Sequence, residues 1–391
     1  MKKRMFIISA AFLTAAALLL FSACGSSGPG AVSGETGEGG NGPESTDGNG
    51  ETAGLPEEGD ITDPAGQDAN EKRIHVAVTI DDGPSGDGCG EYLKICRDNG
   101  IALTFFLIGS AVEENSAVLG EMVDAGCELA NHSWSHPQLT GLDDDGVREE
   151  IRKTTDVIAQ FAPSAEVRFV RAPYFDADER VCADVNYPLI GVTHIEEGED
   201  YEKTLEMLKD LSDGDIVLLH CWNEASQRAF AEAVPALKKE GVEFLTVSGL
   251  FEVQRVKPKA GYIYDYVRRN AAPDYESTDV LYENDGSGDV NLVRLDAEKI
   301  GSISEDMALG ITYEGIRAPV ITLSSSGSGK KLVQVMPSSD DRETAVFTRE
   351  DLLEAMETDN LSGLDSCMFA PNGIGCSVRC VEILRKTEPG K

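Results

Sequence analysis

Ile74-His75-Val76-Ala77-Val78-Thr79-Ile80-Asp81-Asp82-Gly83-Pro84 is an apolar, β-rich run that stops abruptly at two carboxylates and a Gly-Pro turn. Adjacent side chains at a strand end point in different directions, so two neighbouring acids can take two different roles. One can bind a cation while the other handles a proton.

Working outward, similar runs recur at residues 102–107, 127–131, 166–171, 188–195, 215–220 and 242–247. Helical patterns stand between them at 111–124, 146–161, 202–211 and 224–239. Strand–helix alternation of this kind means βαβ units and a parallel sheet. Seven strands between residues 74 and 256 predict an α/β domain built as a distorted seven-stranded β/α barrel. Such barrels keep their chemistry at the strand C-termini. No G-x-G-x-x-G follows the first strand, which removes a dinucleotide reading.

Beyond a linker at 257–277 the texture changes. Short alternating runs separated by Gly, Ser and Asp turns predict a smaller all-β, sandwich-like domain over 278–391, with one short helix at 349–356. Carbohydrate-binding surfaces need exposed aromatic rings. Both tryptophans, Trp134 and Trp222, precede this domain, only a few aromatics such as Tyr313, Phe347 and Phe369 remain in it, and alternation turns some of these inward, so glycan binding and a structural spacer are both open to it.

The first residues are read as a targeting segment. Met1-Lys2-Lys3-Arg4 is basic, an apolar run follows, and Phe21-Ser22-Ala23-Cys24-Gly25 closes it. Small residues before a cysteine resemble a bacterial lipobox, with Phe21 where leucine is usual. Residues 1–24 are therefore expected to be a lipoprotein signal ending at a lipidated Cys24. Residues 25–73 are Gly, Ser, Pro and acidic residues, a composition that cannot offset its ordering entropy. As a flexible tether they would span on the order of 40 Å. The expected location is the extracellular face of a bacterial cell membrane, with membrane contact through the lipid alone. A net charge of −35 argues against nucleic acid as a partner. Eight further cysteines permit disulfides whose connectivity the sequence does not determine, and no C-x-x-C spacing suggests a zinc or redox pair.

Three of the five histidines lie in candidate site segments. His132 and His136 are four apart, which would stack them on one face of a helical turn. Two imidazoles and a carboxylate with open positions suit a catalytic metal. Arg171 ends the fourth strand candidate, before Ala172-Pro173-Tyr174, where a buried guanidinium could hold a carboxylate ionised. His220 closes the apolar run 216–219. His194 reads as a barrel-strand residue, and His75 as a strand start away from the site.

Taken in order, Thr79-Ile80-Asp81-Asp82-Gly83-Pro84, His132-Ser133-Trp134-Ser135-His136, Arg171-Ala172-Pro173-Tyr174, Glu197-Gly198-Glu199-Asp200-Tyr201 and Leu218-Leu219-His220 resemble the five motifs of the polysaccharide deacetylases of carbohydrate esterase family 4. The first has Ile80 for phenylalanine. The fourth keeps its second acid but has Tyr201 where tryptophan is expected. The resemblance covers about residues 74–252. It implies a divalent metal, zinc first and cobalt or nickel as alternatives, on Asp82, His132 and His136. It further implies Asp81 as general base, Arg171 holding Asp81, the Tyr174 backbone N–H at the oxyanion, and His220 as general acid. Asp200 would orient His220, with Glu197 as the competing acid. Cys221 stands where the family often has aspartate.

The activity so implied is deacetylation of an acetylated polysaccharide, with N-acetylglucosamine polymers such as peptidoglycan or chitin oligomers foremost. O-acetyl xylan is the alternative substrate. A non-catalytic glycan-binding surface lipoprotein is the rival of another class.

Overall fold

The computed structural model describes residues 73–268, 275–284, 293–325, 331–335, 337, 339–340, 344–356, 358, 360–361, 364–370 and 376–387. The proposed signal, Cys24 and the tether lie outside the described residues.

The first run becomes β1 (Ile74–Gly83), the hub of a parallel sheet. It pairs with β2 (Thr104–Leu107), β6 (Ile216–His220) and β7 (Val242–Leu245). The order runs β3 (Glu128–Asn131), β2, β1, β6, β5 (His194–Ile195), with β7 on β1. Single bridges from Asn131 to Val170 and from Val170 to Leu189 connect β3 to β4 (Leu189–Ile190). In the chain β5 follows β4 closely, and it pairs with β6, which pairs with β1.

The sheet is less regular than the seven full strands predicted. Segment 166–171 contributes only the bridges at Val170, because Glu166 and Arg168 turn outward and bond each other at 2.9 Å. The 188–195 run splits in two where Arg171 takes the carbonyls of Ile190 and Gly191 that a strand neighbour would otherwise use.

The surrounding helices are α1 (Gly86–Asn99), α2 (Gly109–Glu114), α3 (Ala117–Asp124), α4 (Asp144–Phe161), α5 (Glu179–Val185), α6 (Tyr201–Leu208), α7 (Glu224–Lys239) and α8 (Val247–Val253). Most start on a capping side chain that satisfies an orphan N–H of the first turn: Asp143 for α4, Asp178 for α5, Asp200 for α6, Asn223 for α7 and Thr246 for α8.

Strand alternation divides the core. Val76, Val78 and Ile80 pack outward against Tyr92, Leu93 and Phe230 of the helices. Ala77, and with it Thr79 and Asp81 at the same parity, faces inward beside Phe106, Ala130, Phe169 and Leu218. That parity carries Asp81 to the inner face at the C-terminal end of β1.

The remaining strands are antiparallel, in two sheets. One holds β10 (Val293–Leu295), β16 (Ser366–Ala370), β12 (Val320–Ser325) and β13 (Lys331–Val335). The other holds β14 (Ser339–Asp340), β15 (Thr344–Thr348), β11 (Met307–Gly315), β17 (Cys376–Lys386) and β9 (Tyr275–Glu283). Ile321, Leu323, Ile311, Phe347 and Val381 from both sheets share one apolar cluster, the arrangement expected of a sandwich.

That cluster also contains Ala77, Phe106, Tyr262 and Tyr264. The segment 257–277, read as a linker, thus includes β8 (Ile263–Tyr264), which lies parallel to β4. The Tyr262 hydroxyl meets that of Tyr313 at 2.7 Å, and the Ile263 N–H donates to the Ile316 carbonyl at 2.7 Å.

Candidate functional site

Asp81 is buried at the end of β1, where Arg171 Nη1 donates to its Oδ1 at 2.6 Å. Arg171 is itself 1 % exposed. Its other donors reach Thr79 Oγ1 and the carbonyls of Ile190 and Gly191, and its guanidinium lies 4.2 Å from the Phe106 ring centroid. Burial presses the Arg171 pKa down, while Asp81 and Asp265 act against that pressure. The buried pair stands because both charges are compensated.

Asp82 turns the other way. Its backbone takes a left-handed φ of 64°, a strained choice for a non-glycine residue that recurs where geometry serves a site. The Oδ1 atom is 3.3 Å from His136 Nε2 and 3.6 Å from His132 Nε2. It is buried and has no hydrogen-bond partner among the described residues.

The His132–His136 segment is a bend rather than the helical turn expected, with left-handed φ at Ser133 (64°) and His136 (59°). The Ser133 hydroxyl accepts the His136 N–H at 3.0 Å and closes it. The imidazoles still converge, with centroids 4.8 Å apart. His132 Nδ1 is 2.9 Å from the Arg171 carbonyl, which can only accept, so Nδ1 carries the proton and Nε2 keeps its lone pair. Burial outweighs the nearby carboxylates and lowers the His132 pKa, favouring the neutral, ligating form.

Asp82, His132 and His136 therefore offer ligand atoms within 4.8 Å of one another. An orphaned carboxylate oxygen facing two imidazole nitrogens, one with its tautomer set, fits a divalent cation.

Opposite stands His220, at the end of β6. Its Nε2 is 3.9 Å from Asp82 Oδ2, and its Nδ1 donates to Glu196 Oε1 at 2.8 Å. Burial lowers the His220 pKa, but the Glu196 hydrogen bond and the charges of Asp81, Glu196 and Asp82 overcome it, so the net direction is upward. Glu196 is held by the Asn223 side-chain amide at 2.7 Å, and Asn223 in turn caps α7.

This corrects the role expected of Asp200. Its carboxylate caps α6 through the Lys203 N–H at 3.1 Å and lies beside the Lys203 ammonium. Glu197 also faces Lys203, at 3.3 Å. Helix α6 needs its cap, so the acid free to reach His220 is the first one after β5. That position was a usable signal: Glu196 follows its strand as directly as Asp81 ends its own.

Tyr174 sits in a tight turn (Pro173–Phe175) with φ 59°, and its ring meets His136 edge-on at 4.7 Å. It is 64 % exposed. On the other side Trp222, 51 % exposed, stacks near His220 and donates its indole N–H to Asp82 Oδ2 at 3.1 Å. The sequence reading assigned Trp222 nothing, although it lies two residues past a candidate acid. Trp134 packs under Gly109, where a Cβ would meet its ring at 2.6 Å, and so serves as wall rather than sugar platform.

Cys221, beside His220, is joined to Cys89 of α1 by a disulfide. At Gly88 a Cβ would lie 1.9 Å from the Cys221 carbonyl oxygen, so only glycine lets α1 approach this loop.

Residues 68–188 match the polysaccharide deacetylase family. Over 198 residues the chain is 34% identical to a bifunctional xylanase/deacetylase of Pseudobutyrivibrio xylanivorans, covering 48% of this chain and 32% of that protein. Over 183 residues it is 28% identical to a peptidoglycan-N-acetylglucosamine deacetylase of Listeria monocytogenes, covering 45% and 38% respectively. The solved Xyl-CE4 domain of a multidomain xylanase from the hindgut metagenome of Trinervitermes trinervoides is 31% identical, with a TM-score of 0.47, covering 50% of this chain and 98% of that domain. The chain spans roughly a third of the length of these curated relatives.

Proposed function

This chain belongs to the polysaccharide deacetylase family, carbohydrate esterase family 4, and from that premise we propose that it hydrolyses acetyl groups from an extracellular polysaccharide. The observation that carries the reading is the split of two adjacent carboxylates. Asp81 is committed to a buried arginine, whereas Asp82 faces two imidazoles with an unpartnered oxygen.

A divalent cation held by Asp82, His132 and His136 would supply Lewis acidity toward the acetyl carbonyl and acidify a water. Zinc is the proposed ion on the strength of its two-imidazole, one-carboxylate preference. Asp81, oriented by Arg171, takes a proton from the attacking water. The Tyr174 backbone N–H, presented by the left-handed turn, contributes to oxyanion stabilisation. His220, oriented by Glu196, whose hydrogen bond and charge raise its pKa, gives its proton to the departing amine or alkoxide. The exposed rings of Tyr174 and Trp222 flank this chemistry on two sides and offer apolar faces to a sugar.

N-acetylglucosamine polymers of the cell wall are the proposed substrate, and the peptidoglycan deacetylase among the relatives supports that choice. O-acetyl xylan is the second reading, favoured by the xylanase/deacetylase relative. The Cys24 lipobox leads us to place the enzyme on the outer face of the membrane, its lipid the anchor. No described helix is long and apolar enough to cross a membrane. Acetate release from peptidoglycan, chitin oligomers and acetylated xylan, with and without chelator, tests this directly. Release from none of the three, with zinc bound, would leave the non-catalytic glycan binder as the better account.

A further inference from the structure

Helix α1 carries two cysteines about two turns apart, on one face, and each has a cysteine opposite it. Cys89, near the N-terminal end, is bonded to Cys221. Cys96, in the last turn, meets Cys127 across a thiol hydrogen bond with the Sγ atoms 3.8 Å apart. These two are free thiols, and both are buried. Cys127 stands one residue before β3. Hydrogen-bonded backbone fixes both positions. The Cys96 carbonyl accepts the N–H groups of Gly100, the left-handed cap of α1, and of Ile101, while the Cys127 N–H donates to the Met122 carbonyl at 3.0 Å.

We propose that Cys96 and Cys127 form a second disulfide, made by exchange with an external disulfide, so that α1 is fastened covalently at both ends. The inference goes beyond the deacetylase reading and does not depend on it.

A disulfide bond is about 2.05 Å long, so the sulfurs have less than about 2 Å to close. The exchange balances without a further redox partner. One cysteine thiolate attacks a sulfur of the external disulfide and expels a thiolate, and the second cysteine then attacks the mixed disulfide and expels the other. The two leaving thiolates take up the two protons that the cysteines lose, and the external disulfide gains the two electrons that the protein gives up. Cys127 is the first to attack. The hydrogen bond from Cys96 lowers its pKa against the effect of burial, and it adjoins exposed Gly126. Cys96 lies deeper and completes the bond. Cys221 adjoins His220, and β3 runs from Cys127 to the residue before His132. The two bridges would therefore tie one glycine-weakened helix to two segments that carry the site.

The test uses the full-length protein, incubated with oxidised glutathione in urea below the unfolding midpoint, where local opening admits the oxidant. Remaining thiols are alkylated, and the denatured, unreduced chain is cut with trypsin. Cleavage after Lys94, Arg97 and Arg148 leaves the two cysteines on separate peptides, Ile95-Cys96-Arg97 and residues 98–148. We expect these peptides to be recovered joined, lighter by two hydrogens than their sum, and to part on reduction. Recovery of both in alkylated form, or of either joined to another cysteine peptide, would overturn the proposal. A second measurement reads the fastening itself. The rise in Tm from reduced to oxidised protein should be larger in the wild type than in Cys127→Ala by about 5–10 °C, the gain expected from closing a loop of this length. Comparing the two rises cancels both the cavity left by alanine and the share of the Cys89–Cys221 bond. Equal rises would show that α1 is not fastened this way.

Discussion

Asp81 and Asp82 are neighbours in sequence with separate partners, so their substitutions should have separable effects. Asp82→Ala removes a ligand atom and should lose bound metal. Asp81→Asn should retain metal while losing ~10²–10⁴-fold of turnover, the range a general base contributes. Equal metal loss in the two variants, measured by elemental analysis, would show the roles to be wrongly divided. A second comparison concerns the acid that orients His220. Glu196→Gln withdraws the charge that helps raise the His220 pKa and should cut kcat. Asp200→Asn exchanges one good helix cap for another and should cost only a few tenths of a kcal/mol in stability. If Asp200→Asn proved the more damaging to activity, the geometry around His220 would be misread.

At the scale of elements, the pairing of β5 with β6 places buried His194 over Asp215, with Nε2 3.0 Å from Oδ2. Burial lowers the His194 pKa, but the bond and charge of Asp215 prevail and its net direction is upward. A raised folded pKa gives stability that is complete below the unfolded value of about 6.5 and fades as pH rises through the folded one. Asp215→Asn should therefore destabilise most below about pH 6.5 and less at higher pH, in denaturant titrations across that window. A pH-independent loss would contradict the assignment.

The elements also show what could be read in advance. Helix α7 spans the residues expected, because its apolar period is regular and Asn223 caps it. Helix α1 escaped because Gly86, Gly88 and Gly90 give its N-terminal end poor helix propensity. It forms because Cys89, Tyr92, Leu93 and Cys96 are buried against the sheet, a tertiary reason invisible locally. Asp81, Asp82, His132, His136, Arg171 and His220 were legible from order and spacing. Trp222 was not, since its contact with Asp82 is distant in sequence, and Glu196 offered only the weaker signal of directly following a strand.

For the whole molecule, the boundary is where expectation and structure part. A linker at 257–277 would make a protein ending at Val256 an independent catalytic domain. Yet Tyr262, Ile263, Tyr264, Tyr266 and Val267 are all buried. At about 1.5–3 kcal/mol for each large apolar side chain, their loss approaches the ~5–15 kcal/mol that holds a typical domain together. Truncation after Val256 should abolish a cooperative thermal transition. A sharp melt with turnover near that of the full chain would instead restore the two-module view.

The bond between Cys89 and Cys221 ties together residues 132 apart in sequence, and that span encloses His132, His136, Arg171 and Glu196. On the outer face of a cell, where we place the protein, secreted proteases are a standing hazard. A single cut anywhere within the span leaves both fragments covalently joined, with the site still assembled around them. Limited proteolysis should accordingly yield a species that migrates as one chain without reductant and as two with it, while still retaining metal. Separation of the fragments before reduction would show that the staple is not formed, and that one cut is enough to end the molecule.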